Sequence, residues 1–171
     1  MIFENGTLSG YIRQIEQGQA RLVKKISQAQ SFKGRLTLPE VDPSIPAIWP
    51  TEGTITSLYG MRRDPFLKTY QFHSGVDIAN FKSTDVLATA SGRIEYSGKK
   101  SGYGNAVVIN HGNGYKTLYG HCERLFVARG DKVQKKTLIA AMGSTGRSTG
   151  DHLHYEVVFA GEPLDPTMFV E

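Results

Sequence analysis

The chain has 171 residues, 39% of them hydrophobic, which is enough for one domain with a real core plus an additional segment. Its formal charge is +4 and its pI near 9.2, a mildly basic balance that suits an anionic partner, but Lys and Arg occur only as short pairs (VKKIS, GKKSG, QKKTL), so no nucleic-acid tract is present and no nucleic-acid partner is expected. The single Cys122 excludes an internal disulfide framework, no apolar stretch approaches the ~18 residues of a membrane-spanning helix, and the opening MIFENGTLSG lacks the basic and apolar regions of a signal peptide.

In chain order, the first predicted element is a helix. Leu8, Ile12, Ile15, Leu22, Ile26 and Ala29 recur at alternating spacings of four and three, with Gln19 in the seam. Residues 1–38 are therefore expected to form an N-terminal helical segment, either a short coiled coil or one amphipathic helix lying on the domain. Gly18 weakens it by roughly 1 kcal/mol relative to Ala. Such a stripe is costly in water. The segment is expected to pack against another chain or against its own domain, and to be the end of a longer helical region that links an upstream membrane anchor or partner coil to the rest. Next, Pro39, Pro43 and Pro46, with Pro50 just beyond, forbid helix and favour an extended connector over residues 39–48.

From Trp49 onward the texture changes, and residues 49–171 read as the main domain. TITSLY, DVLATA, GRIEYSG, NAVVIN, YKTLYG, TLIAAM and HLHYEVVF have the β-branched and aromatic content of strands. SGYGN, HGNGY, ARGD and GSTGRSTGD have the chemistry of turns. No helix-length periodic segment lies between them, so the domain is expected to be all-β with mainly antiparallel sheets.

The histidines carry the chemical signal. In STGDHLHYEV, His152 and His154 stand at i and i+2, positions that a strand projects from one face. In FHSGVDIA, a turn through Gly75 can bring His73 and Asp77 to one point. Two imidazoles and a carboxylate make a known kind of zinc set with a fourth position left open for chemistry. Each His alone is more often an ordinary surface or core residue; order and context give the pattern its weight.

Those motifs resemble the M23 zinc endopeptidases of the lysostaphin/LytM type, enzymes that cut peptidoglycan peptides. The likeness runs over about residues 49–169. It takes in ITSLYGMRRDPF with its G-x-R-x-D-P segment, FHSGVDIA, SGYGNAVVINHGNGYKTLYGHC with its Y-x-H, GSTGRSTGDHLHYEV, and EPLDPTMFV. The resemblance implies an antiparallel β-sheet sandwich domain, one zinc ion per chain held by His73, Asp77 and His154, and two catalytic histidines, His121 and His152. It implies hydrolysis of peptide bonds in peptidoglycan cross-links or stem peptides by a zinc-activated water assisted by those two histidines, in the bacterial cell envelope. The scissile bond stays open between D-Ala–diaminopimelate cross-links and glycine bridges.

His111 reads as structural or rim-lining. Glu156 shares the strand face of His152 and His154 and could orient a ligand, although a surface or sheet-pairing carboxylate is the default. Tyr103 and Asn105 either line the groove or make the turn. The sequence departs from the family at Asp151, where Pro is more common, at Cys122, where an apolar residue such as Leu is usual, and at Lys136 and Ala140, where Gly is common. Two other readings compete: an inactive activator of other wall hydrolases, whose degraded motif set is absent here, and a lipoyl-type carrier domain, which leaves the histidines unexplained.

Overall fold

The computed structural model describes residues 42–170, and the expected helical segment 1–38 lies outside them. The described chain is built of strands: β1 (Thr54–Ser57), β2 (Gly60–Arg63), β3 (Tyr70–His73), β4 (Val76–Ala79), β5 (Asp85–Leu87), β6 (Gly92–Lys100), β7 (Gly104–Gly112), β8 (Tyr115–Cys122), β9 (Arg124–Leu125), β10 (Lys132–Val133), β11 (Leu138–Ala141), β12 (His152–Phe159) and β13 (Glu162–Leu164). A single 3-10 turn, Pro166–Met168, follows them, and no α-helix occurs among the described residues. The all-β reading holds, and every strand pairing is antiparallel.

One large sheet runs β1-β4-β12-β8-β7-β6-β10, with β13 on β12. A three-stranded sheet, β5-β11-β9, supplies the opposing layer, and β2 and β3 form a separate hairpin. The β7–β8 hairpin turns through Gly112, Asn113 and Gly114, all at positive φ (84°, 48° and 88°). That is why HGNGY reads as a turn: Gly carries no Cβ penalty there and Asn tolerates it.

Strand alternation places the core. Val76 and Ile78 of β4, Leu153, Tyr155 and Val157 of β12, Tyr119 of β8, and Val107 and Ile109 of β7 point inward, where they meet Val86, Ile139 and Ala140 of the smaller sheet. The intervening residues face outward, among them Asp77, His154 and Glu156. The described part of the Pro-rich stretch lies along this body. Pro43 and Pro50 lend their carbonyls to the amides of Ser91 (3.1 Å) and Leu87 (2.7 Å), the Ala47 amide donates to Thr89 (3.3 Å), and Ile45 and Trp49 pack against the core. Proline has lost a donor but keeps its acceptor.

A buried polar chain crosses the core behind the site. His111 Nδ1 donates to the Ser91 carbonyl (2.9 Å), leaving Nε2 to accept from Thr117 Oγ1 (2.7 Å). Thr117 Oγ1 also lies 3.0 Å from the Tyr119 hydroxyl, which accepts from the Thr89 amide, while Tyr155 donates to Thr89 Oγ1 (2.9 Å). His111 is thus a structural residue. Burial pushes its pKa below the usual range, against a smaller opposing effect of the Ser91 carbonyl.

The departures at Cys122 and Ala140 fall in fully buried core positions, where each behaves as a small apolar side chain. Burial pushes the Cys122 thiol up to about 12. Lys136 sits in a turn at φ 72°, the left-handed region that costs a side chain roughly 1–2 kcal/mol. That accounts for Gly being common there.

Two outcomes follow. Lys136→Gly relieves that conformation and should raise stability by up to about 1 kcal/mol in urea unfolding. For His111, the folded chain binds a proton less readily than the unfolded chain, so stability is full above about pH 6.5 and is lost as pH falls toward the lowered folded value. His111→Asn should therefore cost most at pH 7, on the order of 1–3 kcal/mol, and the gap to the parent protein should narrow at pH 5. A gap independent of pH would contradict this assignment.

Candidate active site

The site is assembled by register. On β12, His152, His154 and Glu156 share the outer face, and His154 pairs across with Asp77 of β4 on one side and Gly120 of β8 on the other. His73 ends β3 and is returned to Asp77 by the turn at Ser74–Gly75. Gly75 is required there because a Cβ would collide with the Tyr155 carbonyl. Gly120 leaves space for the Tyr103 ring, which packs 5.5 Å from the His154 ring.

Three donor atoms converge. His73 Nδ1 donates to the Leu58 carbonyl (2.9 Å), which turns Nε2 toward Asp77 Oδ1 (3.1 Å) and His154 Nδ1 (3.0 Å). His154 Nε2 donates to Glu156 Oε1 (3.0 Å), and its Nδ1 lies 2.8 Å from Asp77 Oδ1. All three residues are buried. The set fits zinc: its nitrogen and carboxylate oxygen donors are those zinc takes, and tetrahedral bonds of about 2.0–2.2 Å require ligand atoms about 3.3–3.6 Å apart, about half an ångström wider than these. Hydrogen bonds draw the atoms together. Burial alone would depress His154, but Asp77 and Glu156, one at each ring nitrogen, outweigh it and push its pKa up to about 9. Burial likewise works to raise Asp77, and its bonds with His154 and His73 prevail, holding it well below the usual carboxylate range. A cation must displace the proton at His154 Nδ1, so its binding weakens as pH falls.

Glu156 is the residue the sequence undervalues. It is buried and accepts from three groups: His154 Nε2, Tyr103 Oη (2.9 Å) and Ser74 Oγ. It fixes the His154 tautomer from behind, the arrangement that orients metal-bound histidines. Its i+2 position relative to His154 was the available signal. Asn105, by contrast, neither lines the groove nor makes the turn: it stands in β7, opposite Cys122, and its side-chain amide donates to the carbonyls of Cys122 and Glu123 (both 3.1 Å).

His121 and His152 stand together across the groove, ring centres 4.7 Å apart. His121 Nδ1 donates to the Thr145 carbonyl (2.7 Å) and His152 Nδ1 to the Gly150 carbonyl (2.8 Å). Both rings therefore hold Nε2 as an acceptor, and that of His152 lies 3.8 Å from Asp77 Oδ1. Burial pushes His121 down to about 4, so its ring is neutral at pH 7. His121 also sits at φ 62°. Such strained backbone concentrates at functional sites.

The groove has a volume of about 630 Å³, and its two walls are joined above the site. Arg147, in the loop before β12, bonds Asp64 (2.6 Å) in the β2–β3 turn and stacks 4.7 Å over Phe66. Arg62 reaches the second oxygen of Asp77 (3.4 Å), and its buried Nε has no partner among the described residues. Arg62 is the arginine of the G-x-R-x-D-P segment, but the motif does not name its partner, and Arg147 acts on a residue eighty-three positions away in the chain.

Residues 71–166, more than half of the chain, match Peptidase family M23. The DD-carboxypeptidase/endopeptidase Mpg of Neisseria meningitidis is 47% identical over 112 residues, covering 66% of this chain and 26% of that protein. The murein hydrolase activator NlpD of Escherichia coli is 34% identical over 123 residues, covering 71% of this chain and 30% of that one. Among solved structures, a zinc-containing peptidase from Vibrio cholerae aligns with a TM-score of 0.66 at 34% identity, over 71% of this chain and 39% of that one. This chain thus spans little more than a quarter of the length of such curated relatives. With the fold, the site geometry and the match over residues 71–166 in agreement, the chain belongs to peptidase family M23.

Proposed function

We propose that this chain is a zinc-dependent endopeptidase that hydrolyses peptide bonds in peptidoglycan, in cross-links or stem peptides, within the bacterial cell envelope. The observation that carries the reading is the convergence of His73, Asp77 and His154 on one point of a groove that His121 and His152 face. The likeness to Mpg supports an endopeptidase, and that to the peptidoglycan DD-endopeptidase ShyA of Vibrio cholerae, 38% identical over 112 residues, supports the substrate. His73, Asp77 and His154 hold the metal, with Glu156 and the Leu58 carbonyl fixing the two rings. When bound, zinc supplies a Lewis acid that polarises a carbonyl and lowers the pKa of water toward about 7. The two imidazoles beside that point, His121 and His152, handle protons. One takes the proton of the attacking water at Nε2, and the resulting imidazolium returns it to the leaving amine. Their backbone carbonyl partners keep each ring in the acceptor tautomer between turnovers.

A second reading is a non-catalytic module that activates other wall hydrolases, and the 34% identity to NlpD favours testing it. The complete set of ligand and proton-handling groups supports the enzyme. Digestion of purified peptidoglycan by the zinc-loaded protein separates the two: release of shortened peptides supports hydrolysis, and no release supports the activator.

Two predictions follow from these roles. Asp77→Ala should lose most of its zinc by elemental analysis, whereas His121→Ala and His152→Ala should retain one zinc per chain and lose about 10²–10⁴-fold in kcat. Zinc loss from either of the latter equal to that from His154→Ala would overturn the division of roles. Mass spectrometry of digested walls should detect new peptide termini and no new reducing sugar ends. The opposite pattern would mean that the glycan is cut.

A further inference from the structure

The outer face of the large sheet continues past Glu156 into a second concavity of about 570 Å³. Its floor is made by apolar residues of β7, β8 and β12, and Tyr103 lines both this concavity and the catalytic groove. Its rim carries three cations, Lys100, Lys116 and Arg129, against two carboxylates: the exposed Glu95, and the buried Glu156, which is already bonded to His154, Tyr103 and Ser74. Glu95 is engaged by Lys116 at 2.8 Å. Among the described residues, no carboxylate pairs with Lys100 or Arg129. Lys100 Nζ sits 5.8 Å from the centre of the Tyr103 ring and 5.9 Å from that of Tyr96. Two aromatic faces thus hold an ammonium group within about 6 Å, the range of cation–π attraction, at the edge of the catalytic groove.

We propose that this shelf is a binding subsite for a carboxylate-bearing segment of the peptide substrate, with Lys100 and Arg129 as the recognition groups; the proposal rests on the peptidase reading above. Charge and distance both support it. The unpaired cations, flanked by aromatic rings over an apolar floor, suit an acidic peptide whose methylene groups lie on the sheet and whose carboxylate meets the ammonium. An extended peptide advances about 3.3 Å per residue. The Tyr103 ring lies 5.5 Å from His154 and 5.8 Å from Lys100 Nζ. A carboxylate about three residues from the bond being cut therefore reaches the shelf. Neither Lys100 nor Arg129 belongs to the metal or proton-handling set. The subsite sets preference among substrates and leaves the chemistry to the histidines.

The test uses the zinc-loaded protein and two substrates: a cross-linked peptide dimer with free α-carboxylates, and the same dimer with those carboxylates amidated. Lys100→Glu should keep its zinc and raise KM for the free acid about tenfold, with kcat little changed, as expected for a reversed charge at a recognition site. Its KM for the amidated dimer should stay within about twofold of the parent value, and Arg129→Ala should follow the same pattern more weakly. Equal effects on the two dimers, or none on either, would overturn the subsite. If the parent protein cuts neither dimer, the peptidase reading fails by itself and calorimetric titration of both dimers reads the shelf alone. Tighter binding of the acid form that is lost in Lys100→Glu supports the subsite, and equal binding of the two dimers refutes it.

Discussion

The period-two alternation of β12 is the constraint on which the molecule depends. Leu153, Tyr155 and Val157 are fully buried on one face, and burial of each such side chain is worth roughly 1.5–3 kcal/mol. The other face carries His152, His154 and Glu156. A slip of one residue against β4 or β8 would exchange the two sets, expelling the apolar trio and burying three ionisable groups against the core. The energy that fixes the register of the fold therefore also sets His154 opposite Asp77. The site is specified by hydrophobic burial on the side of the sheet that it does not occupy.

Collecting ionisable groups in a buried patch is costly unless each is paired. Here each one is. Asp77 shares one oxygen among the histidines and gives the other to Arg62, and Glu156 accepts from Tyr103, Ser74 and His154 on its Oε1. The result is a rigid constellation whose internal bonds are hydrogen bonds that a cation of the right size can replace. His121 adds backbone strain to this arrangement, while its ring keeps a low proton affinity because of burial.

Much of this was legible in the sequence, for identifiable reasons. H-x-H before an apolar run declares both a strand and its functional face, and H-x-x-x-D around a glycine declares a tight return. The departures could also be located in advance, and at Lys136 the left-handed φ supplies the reason that glycine is common there. What escaped notice is held by long-range contacts. The β2–β3 hairpin depends on partners far along the chain: Arg147 lies more than eighty residues from Asp64. Glu156 looked like a surface residue because carboxylates usually are, and only the neighbouring strands reveal three donors around it. Residues 39–48 read as connector because proline lacks an amide, yet the carbonyl of Pro43, like that of Pro50 just beyond, binds the body, through Ser91 and Leu87 respectively. The heptad seam of residues 7–34 lies outside the described residues.

Cys122 has a practical consequence. It is the chain's single thiol, it is fully buried beside the His121 backbone, and its ionisation is pushed up to about 12. Thiol reagents act through the thiolate, so the native protein offers them almost no target at neutral pH. The molecule is in effect a cysteine-free background. A reporter cysteine introduced on the β2–β3 hairpin and another on the loop before β12 would take fluorophores or spin labels without competition, and the distance between them would give the width of the groove in solution.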